Sequence, residues 1–140
     1  MKLSVLDQSP IPDGATGAQA LANSIDLAQH CEALGYHRYW VAEHHASPAL
    51  AGVAPEVLIA ALGAATKTIR LGSGGIMLPH YSPFKVAEVF SLLGALYPGR
   101  IDLGLGRAPG TDQRTALALR GSREALVRDD FQDQLDELVA

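Results

Sequence analysis

Residues 43 to 45 read Glu-His-His, directly after an aromatic and aliphatic run, Tyr39-Trp40-Val41-Ala42, that has the composition of a strand. Two adjacent histidines first suggest a metal. On an extended segment, however, neighbouring side chains point to opposite faces, so His44 and His45 do not share one ion as histidines at i and i+4 of a helix do. No metal site is expected. One imidazole then faces a cavity while the other packs or hydrogen-bonds in the loop. His44 is the candidate for proton transfer, with Glu43 beside it to hold the tautomer of its ring and raise its basicity. A histidine taken singly is more often structural, and it is the strand end and the adjacent carboxylate that favour chemistry.

Two further stretches carry comparable signals. Gly72, Gly74 and Gly75 fall within four positions of a third apolar run, with Ser73 among them. Glycines inside a strand weaken it, so they mark a bulge or a place where a ligand approaches the backbone. A flat aromatic ring needs such a bare surface; a plain bulge is the alternative. In Ile101 to Gly110, Ile101, Leu103 and Leu105 alternate with Asp102, Gly104 and Gly106. The glycine spacing there, interrupted by Pro109, is not that of a dinucleotide fingerprint. Arg107 offers a fixed positive fork suited to a phosphate or an anionic ring, or else an ion pair with Glu43 or Asp112. His80 lies in a loop that can reach the same place, whereas His30, His37 and Cys31 read as surface or packing residues.

Short apolar runs that alternate with helical-period segments must position these groups. Leu3 to Leu6 reads as strand one. Thr16 and Gln19 form a capping box ahead of Leu21, Ile25 and Ala28, with Gly35 as the C-terminal cap. Tyr39 to Ala42 is strand two, and Pro55 opens a helix with Leu58, Ala61, Leu62 and Ala65 on one stripe. Ile69 to Leu78 is strand three, Ser82-Pro83 starts a helix that stops at Pro98-Gly99, and Ile101 to Leu105 is strand four. Gly121-Ser122 marks a break, and Phe131, Leu135 and Leu138 predict a final helix over an acidic, solvated face. The expected count is four strands and four helices, a series of βα units.

Such a series fits an open doubly wound sheet or part of a (β/α)8 barrel, in both of which ligands bind beyond the carboxyl ends of the strands. Length favours the open sheet, since a whole barrel takes about 250 residues. The long glycine-rich third strand and the polar residues after each strand (Asp7, Gln8; Glu43 to His45; Ser73 to Gly75; Gly106, Arg107) favour a barrel rim. The chain would then be half a barrel, with two unpaired edges and one uncovered inner face that a second copy or a missing half must cover.

Composition bounds the alternatives. With 140 residues, 48% hydrophobic, 19% charged and a net charge of −4, the chain is expected to bury a core and to bind neither nucleic acid nor another polyanion. No run approaches the roughly 18 apolar residues of a membrane span, and the start lacks a signal peptide's apolar region. A single cysteine, Cys31, fits a reducing compartment, so a cytoplasmic location is expected.

The stretches "YWVAEHH", "IRLGSGGIMLPHYSP" and "PGRIDLGLGRAPG", in this order and spacing, resemble the bacterial-luciferase-like family of flavin-dependent monooxygenases. The likeness covers most of residues 1 to 120 and implies that 1–140 is the N-terminal half of a luciferase-like TIM-barrel domain. It implies reduced FMN supplied by a separate flavin reductase, O₂, and transfer of one oxygen to a small organic substrate. By position, His44 matches the family's active-site histidine, Glu43 its neighbour at the rim, and Gly74-Gly75 a pair lying against the flavin ring and joined by a cis peptide. Arg107 matches an arginine that contacts the flavin phosphate. Ser73 and Gly106 complete the implied cofactor-binding set, and Gly106 stands where the luciferases carry a reactive cysteine, so that residue's chemistry is absent. The alternative is a non-catalytic half-barrel that binds flavin weakly or assembles with a partner chain.

Overall fold

The structure, a computed structural model, describes residues 1–140. The chain runs β1 (Ser4–Asp7), α1 (Gly17–Ala33), β2 (Arg38–Val41), α2 (Pro55–Ala65) and β3 (Arg70–Ser73). It continues through β4 (Ile76–Met77), a 3₁₀ turn (Leu78–His80), α3 (Pro83–Leu96), β5 (Ile101–Asp102), β6 (Leu105–Gly106), α4 (Gln113–Arg120), α5 (Arg123–Val127) and α6 (Phe131–Val139). The third and fourth strands expected from the sequence are each broken in two, and three helices rather than one follow the last strand.

The breaks have a local cause. The hydroxyl of the buried Ser73 donates to the carbonyl of Gly104 at 2.8 Å and accepts from its N–H at 3.0 Å. A side chain thus replaces the ladder between β3 and the segment after β5, and the main chain resumes pairing as β4 beside β6. β1, β2, β3 and β5 pair in parallel and in chain order, with Val41 opposite Ser73 and Gly72 opposite Asp102. A doubly wound sheet reverses its strand order at a switch point, and this one never does. The fold is therefore of the (β/α)8 type, about four βα units long, with β1 and β5 as its two edges.

The local signals explain the elements. Thr16 caps α1 in a complete capping box, and Gly35 takes φ +77 just past its end, where a Cβ would strain the left-handed backbone. Pro55 and Pro83 occupy first turns, and Ser82 accepts from the Lys85 N–H. Asp112 caps α4 by accepting from the N–H groups of Arg114 and Thr115 at 2.8 and 3.0 Å. Tyr39, Val41 and Leu71 turn outward onto Ile59 and Leu62 of α2, all at most 1% exposed, and α3 adds Val86, Phe90 and Leu93. Cys31 is buried in this core, and burial followed by the charge of Asp7 pushes its thiol up. On the opposite face Arg38, Trp40, Gly72, Asp102 and Gly104 line what is the inside of a barrel, and a Cβ on Gly72 would come within 2.5 Å of the Trp40 ring. Leu6, on edge strand β1, is 56% exposed. No helix is long and apolar enough to cross a membrane.

Candidate active site

Because Val41 lies beside Ser73, residues 43 to 45 and Gly74-Gly75 leave the sheet side by side. Glu43 anchors this junction. It is fully buried, and a buried carboxyl is tolerable when donors fill it. Its Oε1 accepts from the Tyr81 hydroxyl and from His45 Nε2, each at 2.6 Å, and its Oε2 accepts from the Met77 N–H at 2.8 Å. Burial first, then this hydrogen bond and the charges of Glu43 and Glu56, push the Tyr81 hydroxyl well above its ordinary range, so it stays a donor.

This corrects the sequence-based pairing: Glu43 holds the ring of His45, not that of His44. Alternation explains it, since residues 43 and 45 share a face of an extended segment and 44 points away. His45 is further fixed by its N–H to the Gly110 carbonyl (3.2 Å), by the Thr111 hydroxyl donating to its own carbonyl (2.9 Å), and by an edge-on contact with the His80 ring. Gly110 has φ +61, and a Cβ there would sit 3.0 Å from the Glu43 carbonyl oxygen.

His44 is held through its backbone, which donates to the Gly52 carbonyl at 2.9 Å. Its Nδ1 is shielded from solvent and has no hydrogen-bond partner, and the Nδ1 of His80 in the same corner is in the same state. A buried polar atom left unpaired costs roughly 1–3 kcal/mol, which makes both positions candidates for a ligand contact.

Gly74 is exposed and Gly75 partly so, and the peptide between them is cis, as the resemblance implies. A Cβ on Gly75 would meet the Leu105 backbone at 2.7 Å, and one on Gly106 would meet Met77 Sδ at 2.7 Å, so both glycines are packed on their side-chain face. Ser73 is buried with its hydroxyl bridging to Gly104. Arg107 is exposed and forms an ion pair with Asp129, rather than with Glu43 or Asp112. With His80 and Arg128 it lines a cavity of about 370 Å³ beneath the loop between α5 and α6. Asp7, expected at the rim, is turned inward, where it accepts from the Ser9 N–H and the Tyr39 hydroxyl, each at 2.7 Å. Tyr81, Thr111 and Asp129 escaped sequence reasoning because nothing local marks a partner 38, 66 or 22 residues away.

A parallel half-barrel with a histidine, a glycine pair and an arginine at its strand exits has the layout of the barrel proteins whose ligands bind at the carboxyl ends of the strands. The chain belongs to the luciferase-like monooxygenase family, whose profile matches residues 1–139. It is 54% identical over 136 residues to a luciferase-like monooxygenase of Escherichia coli, covering 97% of this chain and 40% of that one. It is also 54% identical over 139 residues to the N-acetyl-S-alkylcysteine monooxygenase of Bacillus subtilis, covering 99% and 41%. The crystal structure of apo-MsnO8 superposes with a TM-score of 0.93 at 51% identity, over 99% of this chain and 41% of that one. An FMN complex of the oxygenating constituent of 3,6-diketocamphane monooxygenase from Pseudomonas putida, a type II Baeyer–Villiger monooxygenase, gives 0.82 at 25%, over 99% and 37%. The chain thus spans about 40% of the length of the curated relatives it matches.

Proposed function

We propose that these residues form the N-terminal half of the active site of an FMN-dependent monooxygenase that acts on a small organic substrate. The orphaned Nδ1 of His44, beside a strand exit of exposed glycine, carries this reading. Bound at the rim, reduced FMN supplies the electrons with which O₂ is activated and one of its oxygens is placed on the acceptor. Every other role falls to side chains and backbone of this chain. The Gly74-Gly75 surface lies against the flavin ring, since nothing projects from it. Arg107 gives up Asp129 and donates its fork to the phosphate, with the cavity it lines next to it. His44 holds or accepts a proton at Nδ1. Glu43, Ser73 and Gly106 serve from beneath, where their groups are engaged.

The rest of the site comes from a second half of the barrel or from a second copy of the chain, which also covers the β1 and β5 edges. A separate flavin reductase supplies FMN in its reduced form, in a cytoplasmic setting that the lone buried Cys31 supports. Titration of FMN with the purified chain tests the reading. Quenching of flavin fluorescence at concentrations on the order of tens of micromolar is expected, and Arg107→Ala weakens it by about 1–3 kcal/mol, the scale of a charge-assisted contact. No quenching, or equal affinity of the variant, overturns it.

A further inference from the structure

We infer that Glu43 is a positioning residue: its buried carboxyl, with Tyr81 and His45, locks three strand exits into one rigid rim and so sets where the His44 ring points. The inference rests on the His44 reading above but draws on different atoms. The three donors to Glu43 come from the segment after β2 (His45), from β4 (Met77) and from the loop ahead of α3 (Tyr81). Through His45 the clamp extends to the exit of β6, since Gly110 and Thr111 hold both polar groups of the His45 backbone. His80 joins the same corner, with its ring edge-on to those of His45 and Tyr81 and its Nε2 2.7 Å from the Pro109 carbonyl.

His44 lies between two residues pinned in this way, and its own N–H is tied to Gly52. Its main chain has almost no freedom while its ring nitrogen Nδ1 has no partner. A proton-transfer group must sit within hydrogen-bond reach of its target, and a shift of about 1 Å is costly. A rigid backbone under an uncommitted ring meets that need. Glu43 has no exposed surface, so it meets it without touching a ligand.

Two variants separate positioning from contact. Tyr81→Phe keeps the ring and removes one donor. Glu43→Gln keeps an acceptor but turns an amide group toward one of its three donors. Amide hydrogen exchange and the imidazole nitrogen resonances are followed in both, together with FMN affinity. In both variants exchange at His44, His45 and Met77 is expected to speed up by about tenfold. The His44 ring signals move, Tyr39 and Leu71 in the core stay protected, and FMN affinity stays within about twofold. Unchanged rim exchange and ring signals in both variants overturn the inference. So does a fall in FMN affinity with His44 signals intact, which makes Glu43 a contact residue, or a loss of protection spread evenly over core and rim, which makes it merely structural. Should the parent chain bind no FMN, the flavin reading falls while exchange and ring signals still decide this one.

Discussion

The two ends of the sheet carry polar clusters of similar size, and they differ in how completely they are satisfied. At the lower end the Glu32 carboxyl accepts from the N–H groups of Lys67, Thr68 and Ile69 and from the Thr68 hydroxyl. Arg100 donates to the carbonyls of Ile69 and Thr66 at 3.0 and 3.1 Å and to the Thr66 hydroxyl at 2.5 Å. Arg38 and Arg70 both donate to Asp102 at 2.9 Å. Everything there is paired within the chain. At the upper end Glu43, His45 and Ser73 are as fully engaged, yet the Nδ1 atoms of His44 and His80 are left without partners and Gly74 is bare. A satisfied network fixes a fold; one with groups left unpaired on a rigid frame leaves places for a ligand's own donors and acceptors.

This contrast can be broken from either side. His44→Ala, in a barrel completed by its second half, is expected to lower the rate at which the acceptor is oxygenated by about 10²–10⁴-fold, the usual share of a general base. The same variant leaves FMN affinity and the unfolding midpoint nearly unchanged. A large loss of affinity instead makes His44 a binding residue. Arg100→Ala does the opposite: it strands the carbonyls of Ile69 and Thr66 and costs about 1–3 kcal/mol of stability by denaturant unfolding, with FMN affinity retained in the folded fraction. A loss of FMN affinity in that folded fraction removes the division between the ends.

The smallest effect is a pH dependence. Burial works to raise the Glu32 carboxyl, but the donors from Thr68, Ile69 and Lys67 outweigh it and hold the group at about 2 against an ordinary 4.5. A depressed carboxyl contributes stability that is present above its unfolded value and is lost as pH falls through its folded one. Unfolding midpoints of the parent chain therefore decline between 4.5 and about 2, and Glu32→Gln is lower at neutral pH with a flatter acid limb. Parallel acid limbs in the two proteins contradict the assignment.

Much of this organisation was legible in the sequence because its causes are local. The capping box at Thr16 and Gln19, the glycine after α1 and the prolines that open α2 and α3 set boundaries within a few residues of themselves. Strand alternation separated His44 from His45 for the same reason. What stayed hidden depends on distant partners. Glu43 reads as a neighbour of His44 until Tyr81, 38 residues on, is folded against it. The split of the third and fourth strands needs the Ser73 hydroxyl to meet Gly104, 31 residues away. The partner of Arg107, Asp129, lies beyond two helices, of which Gly121-Ser122 signalled the junction alone. The fold class survived because periodicity carries it; the wiring of the rim did not.

The central claim is that the upper rim, and no other face of the chain, receives a flavin. Amide and imidazole resonances recorded while FMN is added to the isotopically labelled chain address it most directly. Shifts that cluster at His44, Gly74, Gly75 and Arg107, with Glu32, Arg70 and Arg100 unmoved, are the predicted result. Shifts centred on the lower end, or none at all with FMN on the order of millimolar, contradict it.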